Sequence, residues 1–240
     1  APDGQRRRLS DYNPLIEAAW QYCQAHQWRE AYYLIERANL FSELKALGGL
    51  VIVLELYKLL LPLSKWQTPQ ATPREGARIY NYLGSVYRSL GRRELALQYL
   101  EQALKLSKEA GDVREEAWAL NHLGRLHASM GEKERARAYY EEVWERAQTN
   151  NDRVLLAAVL NNLGWISSAW GKLDLEYKYY TEALDIYREL GDRTGEATTL
   201  SNLGRVSEDN GEYEQAQKYY QEALAIFQAV GNRRGCGWTL

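Results

Sequence analysis

Asparagine recurs at forty-residue intervals, as Asn81, Asn121 and Asn161, with Ser201 at the fourth position. One residue further on stand Tyr82, His122, Asn162 and Asn202. A carboxamide offers two donors and an acceptor, so a row of them can pair with the peptide bonds of an extended chain whatever its side chains. Neighbouring columns of the same period carry Arg78, Arg88, Arg125 and Arg205. Arginine grips carboxylates or phosphates through charge-assisted, bidentate bonds. Trp118 and Trp165 add the large, rigid contact area typical of binding hot spots, and Ser85 shares a column with Arg125, Trp165 and Arg205. This is the chemistry of recognition, with no bond to break.

Motifs for bond-breaking chemistry are missing from the sequence. No G-x-x-x-x-G-K-[ST] occurs: Gly171-Lys172 is followed by Leu173 and has no glycine at the required upstream distance. Neither G-x-S-x-G nor H-E-x-x-H is present. His122 and His127 lie five apart, on different faces of one helix, and His127 falls in a core column and reads as a packed histidine. Cys23 and Cys236 have no paired histidine nearby and are too few for a disulfide framework or a cysteine-rich metal site. No catalytic residue, cofactor or metal is expected, and a reducing, cytoplasmic setting is.

The elements that hold these columns form an internal repeat. Cut every forty residues from Asn81, the chain gives blocks beginning NYLGSVYRSLG, NHLGRLHASMG, NNLGWISSAWG and SNLGRVSEDNG. Five columns are identical in all four: the Leu-Gly pair (Gly84, Gly124, Gly164, Gly204), a second Gly (Gly91, Gly131, Gly171, Gly211), a Tyr (Tyr99, Tyr139, Tyr179, Tyr219) and a closing Leu (Leu120, Leu160, Leu200, Leu240). The second Gly column ends a first helix, where a left-handed residue satisfies the last carbonyls. Gly111, Gly191 and Gly231 end the second helix in the same way, with Asn150-Asn151 standing in once. Asp112, Asp152, Asp192 and Asn232 follow as N-caps, and Asp112 with Glu115 has capping-box spacing. Helices of about 18 residues joined by turns this short pack as antiparallel hairpins, and successive hairpins stack to bury their apolar faces.

This pattern resembles the tetratricopeptide repeat. Block one matches at Tyr80, Leu83, Gly84, Tyr87, Gly91, Ala96, Leu100 and Ala103; block four matches at Leu200, Leu203, Gly204, Gly211, Tyr213, Ala216, Tyr220 and Ala223. The period of 40 is longer than the usual 34, as in arrays of kinesin light chains, Pins-type adaptors and bacterial signalling proteins. The resemblance implies an all-α, right-handed superhelix of stacked hairpins whose first helices line a concave groove. It places Arg78, Asn81, Tyr82, Ser85, Arg88, Trp118, Asn121, His122, Arg125, Asn161, Asn162, Trp165, Asn202 and Arg205 on that groove. Its expected occupant is an extended peptide or protein segment, with acidic ones suited to the arginines. The alternative use of the asparagines is to cross-link neighbouring first helices. Ser167, Ser207 and His127 replace the usual Tyr. Glu176 stands where a crossing alanine belongs, and needs a partner such as Ser167 or an outward turn.

Residues 1–11 read as a flexible segment, 12–73 as a degenerate helical lead-in, and 74–240 as the array, cut at the start of a fifth repeat. The lead-in comprises a hairpin over 12–47, a break at Gly48-Gly49, a helix from Leu50 to Leu61 and a loop over 62–73. It is similar to the regions that follow the nucleotide-binding module of bacterial STAND-type signalling ATPases, so a sensor arm of a larger ATPase or protease is a second expectation. The missing initiator Met and the array ending mid-helix suggest an excised piece that self-associates through its C-terminal end, a third expectation. Lead-in residues Leu47 to Leu63 are apolar but interrupted by Glu55 and Lys58, so no membrane span is expected.

The 240 residues, 45% hydrophobic and 26% charged, exclude disordered and collagen-like classes. Thirty basic against 32 acidic residues give a net charge of -2, against a dedicated nucleic-acid binder. Tyrosine is abundant (18 against two Phe) as a half-buried stacking column, and all five prolines precede residue 74, so nothing interrupts the array.

Overall fold

The computed structural model describes residues 8–61, 63–65, 71–232 and 235. Among them are three 3-10 turns, Leu9–Tyr12, Leu63–Lys65 and Ser168–Trp170, and twelve α-helices. These are α1 (Asn13–Gln24), α2 (Trp28–Arg37), α3 (Leu40–Ala46), α4 (Leu50–Leu59), α5 (Pro73–Ser89), α6 (Arg93–Ala110), α7 (Val113–Ser129), α8 (Lys133–Thr149), α9 (Arg153–Ser167), α10 (Leu173–Leu190), α11 (Arg193–Asp209) and α12 (Tyr213–Ala229). The described chain is all-α, and the helices pack as consecutive hairpins. It divides into two compact units, up to His122 and from Leu123, so that the division falls inside α7.

In the first unit α1 packs on α2, α4 on both α1 and α5, and α5 on α6. The lead-in therefore shares its compact unit with the first repeat. Two parts of the chain before the array differ from expectation. Residues 9–12, at the end of the segment expected to be flexible, form the first 3-10 turn and bury Tyr12, whose hydroxyl donates to Glu43 Oε2 at 2.6 Å. The expected hairpin over 12–47 contains a third helix, α3, set off by left-handed Asn39 (φ 49°) and Gly48 (φ 82°). Leu40 and Leu44 anchor α3 in the core. Half of the expected loop over 62–73, residues 62 and 66–70, lies outside the described residues, as does the C-terminal segment 236–240 on which self-association was argued.

In the second unit α8 packs on α9, α9 on α10, α10 on α11 and α11 on α12. The stops and caps are local, and they form as the residue types dictate. Gly91, Gly111, Gly131, Gly171, Gly191, Gly211 and Gly231 have positive φ, and Asn151 takes the same conformation at 51°. Oδ1 of Asp112, Asp152, Asp192 and Asn232 accepts from the backbone N–H three residues on, at 2.9–3.1 Å. The carboxylate of Glu115, three residues past Asp112, is engaged by Arg78 and Asn81.

The glycine of each Leu-Gly pair is the close approach within a hairpin. A Cβ at Gly124 would lie 2.6 Å from Cε1 of Tyr140, whose ring is buried against it; Gly164 meets Tyr180 and Gly204 meets Tyr220 alike. Alanine normally gains about 1 kcal/mol over glycine inside a helix, but forcing an atom into a filled site costs about 1–3 kcal/mol. Gly124→Ala is therefore expected to lower the urea midpoint, whereas a helix-propensity effect alone would raise it.

Candidate functional site

Solvent exposure along the first helices follows the helical period. On α9 and just beyond it the accessible positions include Val154, Ala158, Asn161, Asn162, Trp165 and Ser168; on α11 they include Thr194, Thr198, Ser201, Asn202, Arg205 and Glu208. Each helix thus keeps one face open while the opposite face, Leu156, Leu160, Leu163 and Leu200, Leu203, Ser207, is buried. Within the first unit Arg78, Tyr82, Arg88, Trp118 and His122 are half-buried on the corresponding faces of α5 and α7.

The first two members of the asparagine column next to this stripe point inward. Asn81 is 3% exposed and Asn121 1%. Nδ2 of Asn81 donates to the carbonyl and to Oε2 of Glu115, each at 3.1 Å, tying α5 to α7. In the second unit Asn161 Oδ1 accepts from Nδ2 of Asn202 at 3.0 Å and from the Thr199 hydroxyl at 3.4 Å, tying α9 to α11. Asn81 and Asn161 act as cross-links between successive first helices, and buried Asn81 and Asn121 do not offer an accessible amide. Ser85, beside crossing Gly84, is fully buried too and is removed from the accessible set. The reason is geometric: one residue along a helix is a turn of about 100°, enough to move a side chain from an open face to the seam with the next helix.

Two of the expected anion-binding arginines are already neutralised. Arg78 donates from Nε to Oε1 of Glu115 at 2.7 Å and from its guanidinium to Oε2 of Glu36 at 3.2 Å. Tyr57 donates to the other oxygen of Glu36 at 3.0 Å. Burial raises the proton affinity of Glu36 above the ordinary carboxylate range, against the pull of Arg78. Tyr82 is covered: its ring stacks on Phe41 of α3, centroids 4.1 Å apart, with Tyr57 at 5.1 Å. Trp118 and His122 lie side by side, with 5.9 Å between ring centroids.

In the second unit Arg205 pairs with Glu176 and, at 2.8 Å, with Asp209. This corrects the expectation for Glu176. It is fully buried rather than turned outward, and its partner is Arg205 of the next repeat, while the Ser167 hydroxyl donates to the Leu163 carbonyl at 2.8 Å. Arg125 is half-buried and makes no ion pair among the described residues, and its charge acts on the buried Tyr187 phenol. Trp165 is 46% exposed, and Asn162 and Asn202 are half-buried beside it in the stripe. The engaged carboxylates Glu36, Glu115 and Glu176 were not expected at the site. Only Glu176 carried a sequence sign, its place in an alanine column.

The remaining chemistry-bearing residues are accounted for by packing. His127 is buried, accepts or donates at Nδ1 with Glu132 Oε2 at 2.9 Å, and stacks on Tyr139. Cys23 is buried, and desolvation pushes its thiol up to about 11, away from thiolate chemistry. Among the described residues no group of three His, Cys, Asp or Glu side chains is arranged to hold a metal, and no helix is long and apolar enough to cross a membrane.

Family models described as tetratricopeptide repeat match residues 77–149, 177–229 and 195–240, and a second such model matches residues 157–192. Comparison with curated proteins finds no match. Similar solved structures include the Rap conjugation gene regulator of the plasmid pLS20 in complex with the Phr* peptide, at TM-score 0.72 and 17% identity over 87% of this chain and 56% of that one. BtubC (BKLC) from P. vanneervenii is similar at TM-score 0.59 and 23% identity, covering 94% of this chain and 91% of that one. A STAND protein with a tetratricopeptide repeat sensor from Pyrococcus horikoshii is similar at TM-score 0.62 and 18% identity, covering 93% of this chain and 35% of that one. At these identities the likeness is one of fold.

Proposed function

Because the chain belongs to the tetratricopeptide repeat family, we propose that it is a non-catalytic protein-interaction scaffold that takes an extended peptide or protein segment along the open stripe of its first helices. The observation that carries this reading is Trp165, a large indole left 46% exposed on a first helix between repeats bearing Arg125 and Arg205 in the same column. Exposed aromatic area beside arginine is the composition of a binding hot spot. Asn162 and Asn202, the accessible amide column, are suited to the peptide backbone of the ligand. Arg125, the stripe arginine without an ion pair among the described residues, favours an acidic side chain. The Rap structure supports the reading by analogy, as a similar fold solved with a peptide bound.

The test is selection from a library of short extended peptides, followed by fluorescence anisotropy on variants of unchanged helicity. Trp165→Ala is expected to weaken the selected peptides by about 2 kcal/mol, close to thirty-fold, and Arg125→Ala to weaken the acidic ones. Unchanged affinity in both variants would refute the reading.

A second reading, a sensor arm within a larger signalling ATPase, draws on the STAND protein, of which this fold makes up about a third. It predicts a P-loop module elsewhere in the same gene, and a full-length sequence without one excludes it.

A further inference from the structure

Glu176 breaks the repeat rule and is the most enclosed charge in the second unit. The same column holds Ala96, Ala136 and Ala216 in the other repeats. Its side chain has no exposed surface, and few charges face it. From α11 come Arg205, which donates to Oε1, and Asp209, which holds the other arm of the same guanidinium. The one titratable residue of α9, Arg153, is paired with Glu189. α10 itself adds Tyr180, whose ring is fully buried. Oε2 of Glu176 has no hydrogen-bond partner among the described residues.

Arg205 faces two ways. Its side chain is 38% exposed, on the same open stripe as Asn202, while one arm reaches inward to the buried carboxylate. For Glu176 the cost of burial outweighs the attraction of Arg205, and its proton affinity lies above the ordinary carboxylate range. A pair of this kind is held weakly, because desolvation offsets most of the Coulomb gain. A carboxylate approaching from the stripe meets a guanidinium whose inner partner can be neutralised by a proton.

Resting on the stripe reading above, we propose that Glu176 is an internal competitor for the ligand: its carboxylate holds Arg205 in the free protein, a carboxylate of the bound peptide takes Arg205 over, and Glu176 accepts a proton from solvent as it loses its cation. No covalent bond changes, and the exchange replaces one ion pair by another plus a neutral buried acid. Glu176 thereby makes affinity for acidic peptides rise as pH falls, over the range in which the peptide's own carboxylates stay ionised. The residue sets specificity through Arg205 without touching the ligand.

The probe is the acetylated, amidated peptide Glu-Glu-Leu-Glu-Glu, titrated calorimetrically between about pH 6 and about pH 8 in buffers of contrasting ionisation enthalpy. The wild type should take up to one proton per peptide and bind more tightly toward the acid end. Glu176→Gln, and Glu176→Ala, which restores the alanine of the sister repeats, should bind about ten-fold tighter near neutral pH, with a flat pH profile and no proton uptake, because the competitor's share of Arg205 is gone. Wild-type proton uptake in both variants, weaker binding than wild type, or no binding to any of the three proteins overturns the proposal. A Trp165→Ala arm separates the two readings. If it leaves the peptide's affinity unchanged, the stripe reading fails. If it weakens binding while the Glu176 variants keep the wild-type pH profile, only the competitor role fails.

Discussion

Tyr180→Ala is expected to cost about 3–5 kcal/mol, read as a fall in the urea midpoint followed by far-ultraviolet circular dichroism. The ring is fully buried in the cluster with Leu184, Ala197, Leu200, Leu203, Val206 and Phe227. It also occupies the space against Gly164, where a Cβ would lie 2.7 Å from Cε1. Alanine at 180 would leave a ring-sized gap at the place where α9 and α10 approach most closely, and a glycine on one side gives the site no side chain with which to collapse. Tyr180→Phe is the control. The hydroxyl sits beside Glu176 and Arg205 without a hydrogen bond of ordinary geometry, so its removal is expected to change stability by at most about 1 kcal/mol. Should phenylalanine cost as much as alanine, the stabilisation lies in the hydroxyl and the packing account is wrong.

In the first unit the largest effect is expected from Arg78→Ala. The guanidinium lies between Glu36 and Glu115, and the side chains of both carboxylates are largely buried. Removing a cation from such a site leaves uncompensated charge and typically costs about 3–5 kcal/mol, far more than an exposed ion pair is worth. The pH dependence has a definite sign. Burial already holds the proton affinity of Glu36 above its unfolded value, and loss of Arg78 raises it further. A group whose folded pKa is raised contributes stability at low pH that is lost as pH rises through that value. The deficit of Arg78→Ala should therefore be largest at neutral pH and shrink on acidification toward the ordinary carboxylate range. Glu115→Gln added to Arg78→Ala should recover part of the loss, and a double-mutant cycle reads the coupling. Equal deficits at acid and neutral pH would show that Arg78 acts through its aliphatic stem alone.

Much of the local structure could be read in advance because its causes are local. The left-handed glycines, Asn151 in their place, the aspartate caps and the packed His127 each depend on a residue type and its immediate neighbours along the chain. The candidate site was legible only by column. Trp165, Arg125, Asn162 and Asn202 lie in the open stripe, but the adjacent Asn81 and Asn121 turn inward as part of the seam between helices. Nothing in the residue types separates these two columns, since asparagine occurs in both. Arg78 and Arg205 likewise read as free cations until Glu36, Glu115 and Glu176 are brought to them from distant points in the chain. Tyr82 read as an open aromatic until Phe41 of α3 covers it, and the sequence between residues 12 and 47 did not announce that helix.

By itself, then, the sequence determined a forty-residue, two-helix period and the points where the helices of the repeats stop. Tertiary structure alone decided which amides became cross-links, which arginines were neutralised, and how Glu176 was housed in an alanine column. Helix stops and caps are fixed by backbone conformation within a turn, whereas the fate of a polar side chain depends on what the next helix, about forty residues on, places opposite it.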